Sequence, residues 1–277
     1  MNARTSTTVT VAPSRIAGTF ARLKREGRTA IMPYHTAGFP TMALSEEIIL
    51  GLVEGGADLL EIGVPFSDPI ADGTSVQMTS QISLQNGTRL TDCIALAKRL
   101  RARGVTVPIQ FMGYYNQLLK YGIERYVSDL AEAGVDGIIV PDLPAEESDA
   151  LYTACRAHQR DLIFLVAPTS TDERIANAAR FGSGFIYCVS VTGVTGARDK
   201  MSDTLGEYLD RVRSHSDLPL AVGFGISRPD HVRQVAAHAD GAIVGAALIN
   251  HLNALPDDGK AAGAATFVRY LRGEVDL

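Results

Sequence analysis

Leu59-Leu60-Glu61-Ile62-Gly63 is a short apolar run holding one carboxylate, and it breaks at once into Val64-Pro65-Phe66-Ser67-Asp68-Pro69-Ile70-Ala71-Asp72-Gly73. The first part reads as a strand, too short for a helix and closed by glycine. The second reads as a shaped loop: Pro65 and Pro69 restrict the backbone, while Gly63 and Gly73 permit tight turns. The same unit recurs along the chain. Apolar runs fall at Ala30–Tyr34, Leu59–Gly63, Pro108–Met112, Gly137–Val140, Leu162–Val166, Phe185–Val189, Leu220–Gly223 and Gly241–Val244. Between and after them lie helical patterns at Ser45–Glu54, Leu90–Arg103, Ile123–Ala133, Glu146–His158, Asp172–Phe181, Thr204–Arg213, Pro229–His238 and Ala261–Arg272. Ahead of the first run, Ile16, Phe20 and Leu23 mark one face of a helix over Arg15–Glu26, stopped by Gly27.

The runs are continuous rather than alternating, as expected where helices cover a parallel sheet. A length of 277 residues suits either two small domains or one barrel. A doubly wound sheet would need fewer strands and a G-x-G-x-x-G after the first, which is missing. No linker-like shift in composition separates any two units. The reading is therefore α/β, a single (β/α)8 TIM barrel with an extra N-terminal helix. The barrel is expected to span residues 15–277 as one catalytic domain, with residues 1–14 a Thr/Ser-rich flexible tail.

Composition narrows the function classes. With 46% hydrophobic and 21% charged residues, the chain is neither disordered nor collagen-like nor a membrane protein. A net charge of −5 without a basic stripe argues against nucleic-acid partners. Cys93, Cys155 and Cys188 are odd in number and form no C-x-x-C, so neither a disulfide framework nor a zinc site is expected. Met1–Pro13 holds no secretory signal and no window approaches the ~18 apolar residues of a membrane span, so a cytoplasmic location is expected.

In (β/α)8 barrels the chemistry sits at the C-terminal ends of the strands. Glu61 is the odd residue there, since burial would disfavour its charge and raise its pKa toward neutrality, where it could act as an acid or base. A Glu pointing into solvent or paired with an arginine is the plainer reading. The loop favours the first, because Asp72, eleven residues on, could fold back and face a substrate opposite Glu61. Asp68 reads as a turn cap. Across the barrel, Gly223-Phe224-Gly225-Ile226-Ser227 and Gly245-Ala246-Ala247 follow strands 7 and 8. Such glycine loops commonly hold phosphate through backbone N–H groups. Thr192-Gly193-Val194-Thr195-Gly196-Ala197 suits a mobile lid or a further phosphate donor. The six histidines show no metal spacing, and His35, though at a strand end, reads as a packed or solvated residue rather than a catalytic one. None of the five lysines, Lys24, Lys98, Lys120, Lys200 and Lys260, falls on a predicted strand, which disfavours a Schiff-base aldolase.

The stretch Leu60–Gly73 closely resembles the signature of the tryptophan synthase alpha chain family. Further matches in the same order run from about Phe20 to Leu271: Pro33-Tyr34 with Ala37-Gly38, Tyr114-Tyr115-Asn116, Val135-Asp136-Gly137, Pro141-Asp142-Leu143-Pro144, Ala167-Pro168-Thr169, Tyr187, Gly193–Ala197 and Gly223–Ser227. The resemblance implies a barrel that cleaves indole-3-glycerol phosphate to indole and glyceraldehyde 3-phosphate by a retro-aldol step, using neither metal nor cofactor. It implies that Glu61 is the general acid–base, that Asp72 accepts the indole N–H and stabilises the indolenine cation, and that Tyr187 is the active-site tyrosine. Tyr34, Ile139 and Phe224 would wall the indole pocket. Thr195, Gly196, Gly225, Gly245 and Ala246 would bind substrate, the last four at the phosphate. The resemblance also implies a beta chain partner that carries pyridoxal phosphate and receives indole, in an alpha2-beta2 tetramer. Pro65, Phe66, Ser67, Asp68, Asn116, Asp142 and Pro144 match the segments facing it.

The chain departs from the family pattern in places. Thr74 stands where Pro is common, Ala246 where Ser is common, and Gly113 and Gln117 replace a hydroxyl residue and Pro around Tyr-Tyr-Asn. Two other functions fit the residues: a different phosphate-binding barrel enzyme of an aromatic or histidine pathway, motivated by the glycine loops, and a non-catalytic barrel that activates a partner, motivated by the altered loop residues.

Overall fold

The computed structural model describes residues 13–189, 203–223 and 225–277. Most of the expected N-terminal tail lies outside them.

Helix α1 (Arg15–Glu26) is capped by the Ser14 side chain, which accepts from the Ala17 amide at 3.1 Å, and Gly27 ends it in the left-handed region. There follow β1 (Ala30–Thr36), α2 (Met42–Glu54), β2 (Leu60–Gly63), α3 (Thr74–Gln85), α4 (Leu90–Ala102), β3 (Ile109–Met112), α5 (Tyr115–Tyr121), α6 (Ile123–Glu132) and β4 (Gly137–Ile139). Beyond a 3-10 turn at Ala145–Glu147 come α7 (Asp149–Ala157), β5 (Asp161–Ile163), β6 (Leu165–Val166), α8 (Asp172–Phe181), β7 (Ile186–Val189) and α9 (Asp203–Arg213). The last elements are β8 (Leu220–Gly223), α10 (Pro229–Ala236), β9 (Gly241–Val244), α11 (Ala246–Asn253) and α12 (Lys260–Leu271).

All strands pair in parallel, in the order β5-β4-β3-β2-β1-β9-β8-β7-β6. Strands β5 and β6 are two halves of one stave on either side of Phe164. The first half pairs with β4 and the second with β7, and the Ser183 and Tyr187 amides donate to the Leu162 and Phe164 carbonyls at 3.0 Å each. The nine segments are eight staves, matching the eight runs read from the sequence, and the barrel closes.

The pleat sorts side chains between two cores. Ala30, Met32, Leu59, Ile139, Ile163, Phe185, Ala221 and Ile243 fill the barrel interior together with Ile16, Phe20 and Leu23 of α1, which plugs one end. Ile31, Leu60, Ile62, Ile109, Phe111, Ile138 and Val222 belong to the layer between strands and helices. At the same end as α1, buried Asp136 accepts from Arg15 and Arg101 at 2.7 Å and from the Ile109 amide at 2.8 Å.

Three helices were absent from the sequence reading. Helix α3 shows little apolar periodicity because it buries Thr79, Ser80 and Ser83 rather than aliphatic residues. Helix α5 is only seven residues long, and α11 follows β9 after a single residue, within what was read as a glycine loop. Helix α2 starts three residues early because Thr41 caps it, accepting from the Leu44 amide at 3.2 Å.

Candidate active site

Glu61 lies between outward Leu60 and Ile62, so the pleat turns it into the barrel, where it is 1% exposed. Among the described residues its Oε2 has no hydrogen-bond partner and no arginine pairs with it, so burial, not solvation or an ion pair, describes it there. Burial, with the nearby Asp72 carboxylate second, pushes its pKa up to about 8.

Tyr34 on β1 is its registered neighbour, and the ring lies across the end of β2. A Cβ on Gly63 would stand 2.0 Å from the Tyr34 hydroxyl oxygen, so only glycine leaves the ring its place. The hydroxyl is oriented by a relay. Thr79 donates to the Val76 carbonyl at 2.8 Å and therefore accepts from Thr36 at 2.6 Å, which in turn accepts from Tyr34 at 3.1 Å. Tyr34 thus spends its proton on Thr36 and keeps only lone pairs for the pocket.

Asp72 is brought back over the mouth by its loop. The Ile70 and Asp72 amides donate to the Asp68 and Pro69 carbonyls at 2.9 and 3.0 Å, and Gln77 Nε2 donates to the Asp72 carbonyl at 2.8 Å. Asp68 itself is exposed and accepts from Ser67 Oγ at 2.5 Å. Burial raises the Asp72 carboxyl to about 6, against the opposing pull of the Tyr114 hydroxyl. That hydroxyl accepts from the Ala71 amide at 3.0 Å, which leaves its own proton for Asp72. Phe66 stacks on the Tyr114 ring at 4.9 Å.

Tyr187 enters the same mouth from β7. Burial, then the charges of Glu61 and Asp72, push its pKa well above the ordinary tyrosine value. A Cβ on Gly223 would come within 2.9 Å of its hydroxyl oxygen. Ile139 is 0% exposed at the end of β4 and belongs to the interior cluster. Opposite, Gly225 holds φ +56°, and a Cβ there would meet none of the described residues other than its neighbours within 4 Å. Gly245 and Ala246 open α11, whose first-turn N–H groups have no side-chain cap among the described residues, the kind of helix start that can hold an anion. Thr195, Gly196, Phe224 and the rest of the expected lid at 192–197 lie outside the described residues.

All but one of the residues matched to the partner-facing segments line two grooves; the exception, Asp68, is exposed and lines neither. Pro65, Phe66, Ser67 and Asn116 line one of about 540 Å³ with Lys120, and Asp142 and Pro144 line one of about 290 Å³. Asp142 accepts from the Tyr115 amide at 2.9 Å and so ties the second segment to α5. The departures Gly113 and Gln117 work as a pair. Gln117 accepts from the Tyr114 amide at 3.2 Å and donates to the Pro65 carbonyl at 2.9 Å, and a Cβ on Gly113 would sit 3.3 Å from Gln117 Oε1.

His35 faces the outer layer, buried, with Nε2 bonded to the Phe39 carbonyl at 3.0 Å and a pKa lowered by burial to about 4. Of the two expected readings, packed or solvated, it is the packed one. All three cysteines are buried and free, their thiols pushed up to about 12 by burial. Lys24, Lys98, Lys120 and Lys260 sit on helices, and Lys200 lies outside the described residues. Among the described residues no helix is long and apolar enough to cross a membrane. The sequence reading assigned no role to Tyr114, to the Thr36–Thr79 relay or to Gln110. Only Gln110 carried a visible signal, a polar residue inside an apolar run.

A buried carboxyl and a half-buried one with separated pKa values give a mouth holding a neutral acid beside an anion at neutral pH, the arrangement that lets one site both donate a proton and stabilise a cation. The family model for the tryptophan synthase alpha chain matches residues 20–272. The tryptophan synthase alpha chain of Roseiflexus castenholzii is 55% identical over 94% of this chain and 100% of its own length. That of Chloroflexus aurantiacus is 52% identical over 95% of this chain and 98% of its own. Among solved structures, the alpha subunit from Legionella pneumophila aligns with a TM-score of 0.88 at 33% identity, covering 95% of this chain and 98% of that one. Tryptophan synthase from Mycobacterium tuberculosis aligns at 0.87 and 35% identity, covering 96% of this chain and 100% of that one. With the fold, the whole length and the signature residues in agreement, the chain belongs to the tryptophan synthase alpha chain family.

Proposed function

We propose that Glu61 and Asp72 carry the lyase reaction of this family, cleavage of indole-3-glycerol phosphate, as an acid–base and an electrostatic partner. The observation that supports this best is the pairing of a neutral Glu61 with an ionised Asp72 in one mouth between about pH 6 and 8. Glu61 donates its proton to indole C3, forming a C–H bond and leaving positive charge on the ring nitrogen. Asp72 accepts the ring N–H and stabilises that cation. The Glu61 carboxylate then takes the proton of the hydroxyl on the carbon bonded to C3. The C–C bond breaks, its electron pair returns to the ring, and the carbon leaves as the aldehyde of glyceraldehyde 3-phosphate. Glu61 ends protonated, as it began.

The Tyr34 lone pairs and Tyr187 flank the reacting carbons, Ile139 and Phe224 wall the indole, and the phosphate lies against Gly225 and the open start of α11 at Gly245 and Ala246. A backbone contact at Ala246 survives the absence of a serine hydroxyl there. Thr195 and Gly196 complete the substrate-binding set. No cofactor is assigned to this chain. The two grooves around Pro65–Asp68, Asn116 and Asp142–Pro144 receive a beta chain, which brings pyridoxal phosphate and accepts indole in an alpha2-beta2 assembly in the cytoplasm.

The test is indole release from indole-3-glycerol phosphate by the purified chain, alone and with a beta chain. Glu61→Gln abolishes release and Asp72→Asn lowers it by about 10²–10³-fold, the loss expected for one electrostatic stabiliser. Normal turnover by Glu61→Gln overturns the acid–base role.

A further inference from the structure

Gln110 is the other polar residue that an apolar strand carries into the barrel. It stands on β3 between Ile109 and Phe111, which face the outer layer, and on the same side as Met112, which packs on the interior cluster. It is 0% exposed and is the registered neighbour of Glu61. Registered residues on parallel strands share a face, and the strands run about 4.8 Å apart, so two side chains of equal reach end beside each other. Among the described residues neither Oε1 nor Nε2 of Gln110 has a hydrogen-bond partner, and neither does Oε2 of Glu61. A buried primary amide left with both ends unmet is costly, and an aliphatic side chain would pack there without that cost.

The reaction supplies a use. When Glu61 hands its proton to the substrate it becomes an anion in a dry interior, and a buried anion needs donors. Among the described residues, the titratable groups facing it are Asp72 from its loop, Tyr34 from β1 and Tyr187 from β7. Asp72 repels it, and the Tyr34 proton is spent on Thr36. We propose that Gln110 is a positioning residue for Glu61, its Nε2–H donating to the Glu61 carboxylate in the interval between the two proton transfers. The inference rests on Glu61 being the acid–base, and it adds the group that holds the conjugate base in place.

The test replaces Gln110 with Met, equal in length and without donors, in the full chain. Losing one charge-assisted donor raises the Glu61 pKa by about one unit and lowers kcat about tenfold, with KM within about twofold. Both are read from indole release across pH and from the 13C titration of Glu61, assigned with Glu61→Gln. An unmoved titration or a downward shift overturns the proposal, as does a kcat loss with an unshifted profile, which marks a packing residue. Should Gln110→Met fold poorly, the wild-type chain decides. Its Gln110 amide protons move over the pH range in which Glu61 titrates and stay still in Glu61→Gln; amide signals indifferent to that titration overturn it. A Glu61→Gln variant that still releases indole refutes the acid–base reading instead. An inactive Glu61→Gln beside an unshifted Gln110→Met refutes only the role of Gln110.

Discussion

Tyr114→Phe removes a single oxygen from the site and has a calculable effect on its pH dependence. The hydroxyl accepts from the Ala71 amide at 3.0 Å and gives its proton to Asp72, pulling that carboxyl down against burial to about 6. The phenylalanine ring keeps the stack on Phe66, so packing is preserved. A hydrogen bond to a charged group contributes about 1.5–3 kcal/mol, and solvent at the loop recovers part of it. A net loss of about 1.4 kcal/mol is one pKa unit, which places Asp72 near ~7 in the variant. The ionised fraction at pH 6 then drops from about one half to about one tenth, and at pH 8 from ~99% to ~90%. The expected result is kcat/KM for indole release reduced about fivefold at pH 6 and within about 10% of wild type at pH 8. Initial rates over that range, on chain shown by circular dichroism to be folded, make the measurement. An equal loss at every pH, or an acid limb that stays put, refutes the assignment of the Tyr114 proton to Asp72.

Three further outcomes follow from contacts elsewhere in the barrel. Gly63→Ala drives a methyl into the Tyr34 hydroxyl; overpacking of about 1–3 kcal/mol and a displaced ring lower Tm by roughly 2–12 °C and kcat/KM by about 10²-fold. Adding Tyr34→Leu recovers the stability and leaves the activity low, and a clash that Tyr34→Leu does not relieve contradicts the geometry. Glu61→Gln removes a group whose pKa rises from an ordinary 4.5 to about 8 on folding. In wild type the unfolded chain ionises first, so the native state binds more protons and stability falls as pH rises between those values. The variant has no such slope, so its stability advantage grows to the order of several kcal/mol by pH 8, read as a widening gap in Tm, and parallel curves would contradict the raised pKa. Asp136→Asn breaks the ion cluster with Arg15 and Arg101 at the plugged end. It costs about 3 kcal/mol and lowers Tm by roughly 6–12 °C, while kcat of the folded chain stays at the wild-type value because the site lies at the other end.

How much of this was legible in the sequence depends on whether a residue acts through its own strand or through a fold contact. Glu61 was legible because a carboxylate two residues from the end of an apolar run has one place to go, and Asp72 because prolines and glycines give its loop a shape. The eight staves were legible for the same reason: continuous apolar runs are a local property. Tyr114 was quoted as part of a motif yet given no role, since its partners, Ala71 and Asp72, lie more than 40 residues away in sequence and meet it only through the pairing of β2 with β3. Helix α3 escaped because it packs hydroxyls on the barrel, and hydroxyls give no hydrophobic period. One of them, Thr79, is the end of the Tyr34 relay, so the feature that hides the helix is also what makes it useful. Gln110 offered the same signal as Glu61 and was passed over, because an amide does not announce chemistry as a carboxyl does.

The two carboxyls are not independent settings of one site. Glu61 is neutral at pH 7 through burial, with the Asp72 anion as the second cause, whereas Asp72 stays ionised because its loop leaves it partly solvated and beside the Tyr114 proton. Had both been placed on β2 within the barrel, burial would neutralise both and the cation would find no anion. Had both been placed on the loop, both would ionise and no acid would remain. One residue on the strand and one on the loop after it is the arrangement that separates their pKa values across neutrality. The cost falls on stability, since a buried Glu61 opposes folding as pH rises toward the range where it works. The interior cluster around α1 and the Asp136 ion cluster offset that cost at the opposite end, where their geometry places no constraint on the chemistry.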